Sequence, residues 1–132
     1  MIDFPYLYLH ILLYYICIMT YDMHSSSKAT HQSALNYKSG YCYKAISNAY
    51  TYYVTNSGID PSKLILGIPF YGRKFTNTDG LSQNATHSGA VTYNSIVSTY
   101  LEDPNYTEYW DDTCKVPYLY SETDRTFITY DN

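Results

Sequence analysis

The side chains best suited to chemistry in this chain gather at the ends of two apolar runs. Met19, Tyr21 and Asp22 close the first, Tyr14 to Tyr21, which is rich in Tyr, Ile and Cys and has almost no polar interruption. Tyr71 and Arg73 close the second, whose apolar members are Leu64, Ile65, Leu66, Ile68 and Phe70. Residues two apart on a strand share a face, so Met19 goes with Tyr21 and Tyr71 with Arg73. A carboxylate that ends an otherwise apolar strand needs a partner or solvent, which singles out Asp22. Side by side, the two strand ends build a cup that is aromatic at its walls and charged at its rim.

Other constellations carry less. Asp22, His24 and His31 put three potential metal ligands in one loop, but their spacing fits no common ligand pattern, so no metal and no cofactor are expected. Ser25, Ser26 and Ser27 near His31 lack the strand-to-helix elbow that activates a nucleophilic serine. Three cysteines cannot all pair internally. Cys17, inside the first apolar run, reads as a small buried hydrophobe, while Cys42 and Cys114 are either free or bridged. The net charge of −4, with no basic run, excludes a nucleic-acid footprint. The 19 tyrosines spread from Tyr6 to Tyr130, as a compositional bias shared by core and surface would spread them.

The elements that must position the cup follow from pattern. Tyr14 to Tyr21 fits a strand covered on both faces, and the polar stretch Met23 to Ser39 fits the loop after it. Between Tyr41 and Ser57, Ala45, Ala49 and Tyr53 recur four apart beside Ile46 and Tyr50, the stripe of an amphipathic helix; Gly58 and Pro61 stop it. Lys63 to Tyr71 then reads as a second strand, with Pro69 either ending its pairing or sitting in a bulge. This is one β-α-β unit. Beyond it, Thr76 to Gly89 reads as loop, Thr92 to Tyr100 as a short helix capped by Thr92, and Val116 to Tyr120 with Thr126 to Tyr130 as a hairpin. The expected division is an α/β segment over 1–75 and a small α+β segment over 76–132. Phe4 to Met19 has neither a positively charged start nor a small-residue cleavage site, and reads as core rather than as signal peptide or membrane span.

Met19-Thr20-Tyr21-Asp22 resembles the sixth barrel strand of glycoside hydrolase family 18, the chitinases and chitinase-like lectins. Lys63 to Phe75, KLILGIPFYGRKF, is similar to the family's seventh strand nearly residue for residue, and His31-Gln32-Ser33-Ala34-Leu35 matches a further family stretch. Gly89 to Tyr93 and the tail from Trp110 to Asp131 resemble the small domain inserted after strand seven. The resemblance implies a fragment of a (β/α)8 barrel, about strands six and seven, with an α+β insertion domain. A whole barrel needs roughly 250 residues.

The resemblance further implies retaining hydrolysis of β-1,4-linked N-acetylglucosamine polymers, with the substrate's acetamido oxygen as nucleophile. It gives Tyr21 a role in holding the N-acetyl group and lines the neighbouring subsites with Met19, Asp22, Tyr71 and Arg73. The implied partners are chitin or its oligosaccharides, with no nucleic acid and no membrane, and the implied parent is secreted. The family's proton donor is a glutamate closing an aspartate-rich motif on strand four. The glutamates here are Glu102, Glu108 and Glu122, and no D-x-x-D-x-D-x-E arrangement occurs. No catalytic residue is therefore expected in this chain. Two readings stay open at this point: part of a chitinase, inactive alone, or a non-catalytic sugar-binding or structural relative. Strand edges left open by missing barrel partners also imply self-association.

Overall fold

The computed structural model describes residues 12–132, and the expectation for Phe4 to Ile11 lies outside them. Strand β1, Ile16–Ile18, pairs in parallel with β2, Leu64–Leu66, in the register Ile16↔Leu64 and Ile18↔Leu66. Between them runs helix α1, Ile46–Tyr50, which loosens into π-helical turns over Thr51–Asn56. Ala45 cannot cap with its side chain; Asn48 Oδ1 instead accepts the Ala45 N–H at 3.0 Å. The helix stops at Gly58, whose φ of +68° suits a residue without Cβ. Strand, loop, helix and strand thus form the expected β-α-β unit.

Both strands are shorter than their apolar runs. Thr20 N–H turns back to Ile18 O at 3.0 Å, and Gly67 N–H makes the last rung to Ile18 O at 2.8 Å, so pairing ends there. Pro69 lies beyond it. The run Lys63 to Tyr71 is therefore not one strand: it breaks after Leu66, and the chain enters a different sheet at β3, Tyr71–Thr76. Cys17, expected to be buried, is exposed in these residues.

The second sheet is antiparallel, adding β4 (Thr86–Thr92), β5 (Thr107–Asp111), β6 (Val116–Ser121) and β7 (Thr126–Thr129) in the order β4-β3-β7-β6-β5. The β6–β7 hairpin and the helix α2, Tyr93–Ser95 running on to Tyr100, match the sequence pattern. Thr92 Oγ1 accepts the Ser95 N–H at 3.2 Å, the cap the pattern called for. Strand β4 falls largely where the polar composition reads as loop, and β5 has no alternation to betray it.

Alternation across β6 and β7 builds two cores. Leu119 faces Ile128 and, with Ile96 of α2 and Tyr130, forms a fully buried cluster on one side of the sheet. Phe127, Phe75 and Ala29 form the cluster on the other side, flanked by Tyr118 and Tyr120. Each such aliphatic or aromatic side chain contributes about 1.5–3 kcal/mol by burial. Gly72 lets β3 cross this core: a Cβ there would lie 2.7 Å from Thr129 O and 2.8 Å from Ile96 Cδ1. The tyrosines do divide between core and surface, from fully buried Tyr130 to Tyr14 at 88% exposure.

The architecture is thus an α/β barrel segment with an unclosed parallel sheet and a small insertion. Around the parallel pair, Tyr14, Tyr15, Met19, Ile65, Leu66, Ile68 and Phe70 are exposed, and among the described residues no helix is long and apolar enough to cross a membrane. Two open edges and this apolar surface lead us to expect concentration-dependent association of the isolated chain in sedimentation velocity. A monodisperse monomer with a sharp two-state unfolding transition would show that these edges are protected. Gly72→Ala should lower the yield of folded chain, with a cost of about 1–3 kcal/mol from overpacking.

Candidate functional site

Asp22 and Arg73 meet where the two apolar runs end. Arg73 Nε and Nη2 both donate to Asp22 Oδ1, at 2.8 and 2.7 Å. Asp22 adopts φ of +61°, the left-handed region that asparagine and aspartate tolerate better than other residues with a Cβ. This turn aims its carboxylate across to β3. Partial burial works to raise the Asp22 carboxyl, but hydrogen bonds from Arg73 and Tyr71 and the Arg73 charge outweigh it and hold the group below its ordinary value. The Tyr71 hydroxyl is raised in turn, by burial first and by the neighbouring carboxylate second.

Two aromatic rings stand to one side of that pair. The Tyr21 and Tyr71 rings meet edge to face with centroids 6.3 Å apart, and the Arg73 guanidinium lies 5.3 Å from the Tyr71 ring centroid. Gly67 makes room for Tyr21, since a Cβ on it would come within 2.9 Å of Tyr21 Cε1. Four of the five expected residues, Tyr21, Asp22, Tyr71 and Arg73, are therefore brought together. Met19 follows the end of β1 with 72% of its surface exposed.

Three further side chains support the cup. Gln32 Nε2 donates to Tyr71 O at 2.7 Å, holding the start of β3 against the loop that follows Asp22. His24, two residues after Asp22, stacks on His87 with ring centroids 4.6 Å apart, and both rings touch Phe75. Burial, with the charges of His24 and Arg73, pushes the His87 imidazole below its ordinary value. His87 is aimed there by a bulge: the β3–β4 register skips a residue between Lys74↔Gly89 and Phe75↔His87. No pattern in the sequence marks a glutamine as a backbone clamp or locates a bulge.

His31 has a different place from the one its loop neighbours imply. It is fully buried, its Nε2 lies 3.1 Å from Asp111 Oδ2, and its Nδ1 faces Thr129 Oγ1 at 3.4 Å. Asp22, His24 and His31 do not converge on a cation; the ligand atoms that do come within 4.8 Å of one another, among the described residues, are those of His31, Asp111 and Cys114. Burial pushes His31 below its ordinary value against the opposing effect of Asp111. A neutral ring with Nε2–H donating to Asp111 and Nδ1 accepting from the Thr129 hydroxyl satisfies both nitrogens. A hollow of about 580 Å³ between this loop and α1, lined by Met23, Tyr43, Ala45, Ala49 and Tyr53 among others, contains neither Asp22 nor Arg73.

The fold and these residues define a segment of a glycosidase-type barrel carrying an inserted antiparallel sheet. The sequence profile for glycosyl hydrolases family 18 matches residues 3–132, and the chain belongs to that family. It is 32% identical to Chitinase A1 of Niallia circulans over 139 aligned residues, covering 89% of this chain and 20% of that protein. Chitotriosidase-1 of Mus musculus is 34% identical, with 89% of this chain and 28% of that protein covered. Among solved structures, chitinase ChiW from Paenibacillus sp. superposes with a TM-score of 0.83 at 38% identity, over 93% of this chain and 12% of that one. Chitinase ChiA74 from Bacillus thuringiensis gives a TM-score of 0.84 at 30% identity, over 94% and 24%. The chain thus spans about a fifth of Chitinase A1 and a little over a quarter of chitotriosidase-1.

A His31 held neutral below its ordinary 6.5 fixes the sign of one pH effect. The unfolded chain binds a proton that the folded chain refuses, so the contribution is complete above pH 6.5 and is lost as pH falls below it. We expect the thermal midpoint to fall between pH 7 and 5, and the slope in that window to flatten in His31→Gln. Asp111→Ala, which leaves a buried imidazole without its acceptor, should cost about 1–3 kcal/mol in denaturant unfolding.

Proposed function

We propose that this chain carries the sugar-facing wall of a chitinase-like glycosidase, with Met19, Tyr21, Asp22, Tyr71 and Arg73 binding an N-acetylglucosamine unit of a β-1,4-linked polymer. The observation that supports this reading most is the Asp22–Arg73 ion pair beside the Tyr71 ring, which Tyr21 meets edge to face. An amino sugar offers apolar ring faces and a set of hydroxyl and acetamido groups, and this cup offers aromatic edges and fixed charged partners to match. The chitinase names of the relatives agree with that substrate class.

The chemistry follows from what each side chain is able to do. Tyr71 and Arg73 keep Asp22 ionised, so it accepts hydrogen bonds and takes no part as a proton donor at neutral pH. Tyr21, which packs where a Cβ on Gly67 would intrude, takes in this reading the role of holding the acetamido group whose oxygen attacks the anomeric carbon in substrate-assisted cleavage. Protonation of the leaving oxygen needs a carboxylic acid; Glu108 instead accepts a hydrogen bond from Tyr130, and no D-x-x-D-x-D-x-E arrangement occurs in the sequence. The chain alone therefore binds without cleaving.

Purified chain incubated with a chromogenic N-acetylglucosamine oligomer should release no dye, while chitin oligomers bind it in fluorescence titration. Arg73→Ala, which removes two charge-assisted bonds, should raise Kd by about tenfold or more with circular dichroism unchanged. Turnover by the wild-type chain that disappears in Asp22→Ala would overturn the division between binding and chemistry. Equal affinity in wild type and Arg73→Ala would remove the cup from the binding site.

A further inference from the structure

Two cysteines from distant parts of the chain share one small apolar cluster. Cys42 lies near the end of the loop after β1, and Cys114 in the turn between β5 and β6; both are buried, and their immediate company is Ala34, Ala45 and Val116. The backbone between them is already pinned. Leu35 N–H and Asn36 N–H donate to Cys114 O at 2.9 and 3.2 Å, and the Cys42 thiol lies 3.8 Å from Asn36 O and 3.7 Å from Lys38 O. Cys114 N–H donates to Asp111 Oδ1 at 3.0 Å, which fixes the turn from the other side. Burial pushes the Cys114 thiol up to about 12, with the Asp111 charge and the adjacent Cys42 adding to it. Neither thiol serves the sugar cup.

We propose that Cys42 and Cys114 are a cross-linking site, oxidised to an intramolecular disulfide that ties the loop carrying His31 and Gln32 to the β5–β6 turn. The reaction is exchange with a small-molecule disulfide such as oxidised glutathione. The Cys42 sulfur, as thiolate, attacks one sulfur of the reagent and releases one glutathione. The Cys114 sulfur, once deprotonated, attacks the Cys42 sulfur of the mixed disulfide and releases the second. Two protons leave the protein thiols, and two electrons pass to the reagent, which ends as two thiols. Cys114 is held protonated by its surroundings, so exchange proceeds during folding or local opening and is slow in the closed state.

A metal ion is the rival occupant, because His31, Asp111 and Cys114 offer ligand atoms within 4.8 Å of one another. The polar groups there are already matched, however. Asp111 Oδ1 accepts from Thr113 N–H and Cys114 N–H at 2.8 and 3.0 Å, Oδ2 faces His31, and the other imidazole nitrogen faces Thr129. A cation would have to displace these bonds, whereas the disulfide costs only the thiol contacts of the two cysteines.

The test is peptide mapping of the full chain after equilibration with reduced and oxidised glutathione, acid quench, alkylation and trypsin. No lysine or arginine lies between Lys74 and Lys115, so Cys114 is carried on peptide 75–115, while Cys42 is carried on 39–44. We expect these two peptides joined, with Cys17 alkylated. We also expect a thermal midpoint higher by the order of 10 °C in the oxidised chain, a difference absent from Cys42→Ser and Cys114→Ser. If the serine variants do not fold, the wild-type map decides alone. An unfolded chain would favour the shorter Cys17–Cys42 loop, and that product would overturn the proposal. So would full alkylation of both core thiols, or one equivalent of bound zinc that shields them in the reduced chain.

Discussion

A loop that leaves a three-residue strand has little regular hydrogen bonding to hold it, and the loop after β1 is held by a buried contact instead. The His31 imidazole reaches Asp111 at 3.1 Å across the end of β5, and its second nitrogen faces Thr129 of β7. The next residue continues the attachment: Gln32 N–H points to Thr129 Oγ1 at 3.4 Å and its side-chain amide donates to Tyr71 O at 2.7 Å. Buried polar groups stabilise a unique arrangement only when each has its partner, because a low dielectric raises both the gain and the cost. Most of this network meets that condition, with Gln32 Oε1 lacking a partner among the described residues.

What depends on the docking is the position of Asp22. Met23 N–H donates to Gln32 O at 2.9 Å, so the residue next to Asp22 is tied to the very segment that grips β3. Asp22 sits at φ of +61° and meets Arg73 from there. A partly exposed ion pair contributes little to stability on its own, so the pair is better understood as a product of the docked loop than as its cause. The same docking brings His24 onto His87 and Phe75, and sets Cys42 beside Cys114. Cup and candidate cross-link are thus consequences of where one loop lies on one sheet.

The sequence singled out Asp22 after an apolar run, and Tyr71 and Arg73 two apart, because chemistry and pattern coincide there, although β1 and β2 stop short of these residues and Tyr71 opens β3. The helix within Tyr41 to Ser57, which runs from Ile46 to Asn56, and the β6–β7 hairpin were legible through four-residue spacing and two-residue alternation. The break after Leu66 was not, since Ile68 and Phe70 continue the apolar run while the backbone has already left the ladder. Strand β4 hides in a Thr, Ser and Gly composition because only one partner strand, β3, supports it. His31 is the instructive residue: a histidine in a polar loop looks like a ligand or a base, and its burial against a residue far along the chain leaves no local signature.

The His31–Asp111 contact sets the loop and, through it, the site. Hydrogen exchange followed by mass spectrometry, comparing the wild-type chain with Asp111→Ala, reads this directly. We expect coupled loss of protection in the loop over 23–36 and in β3 at Tyr71 to Phe75, far from the substituted residue in sequence. Loss confined to the β5–β6 turn, with the loop and β3 exchanging as in the wild type, would contradict it.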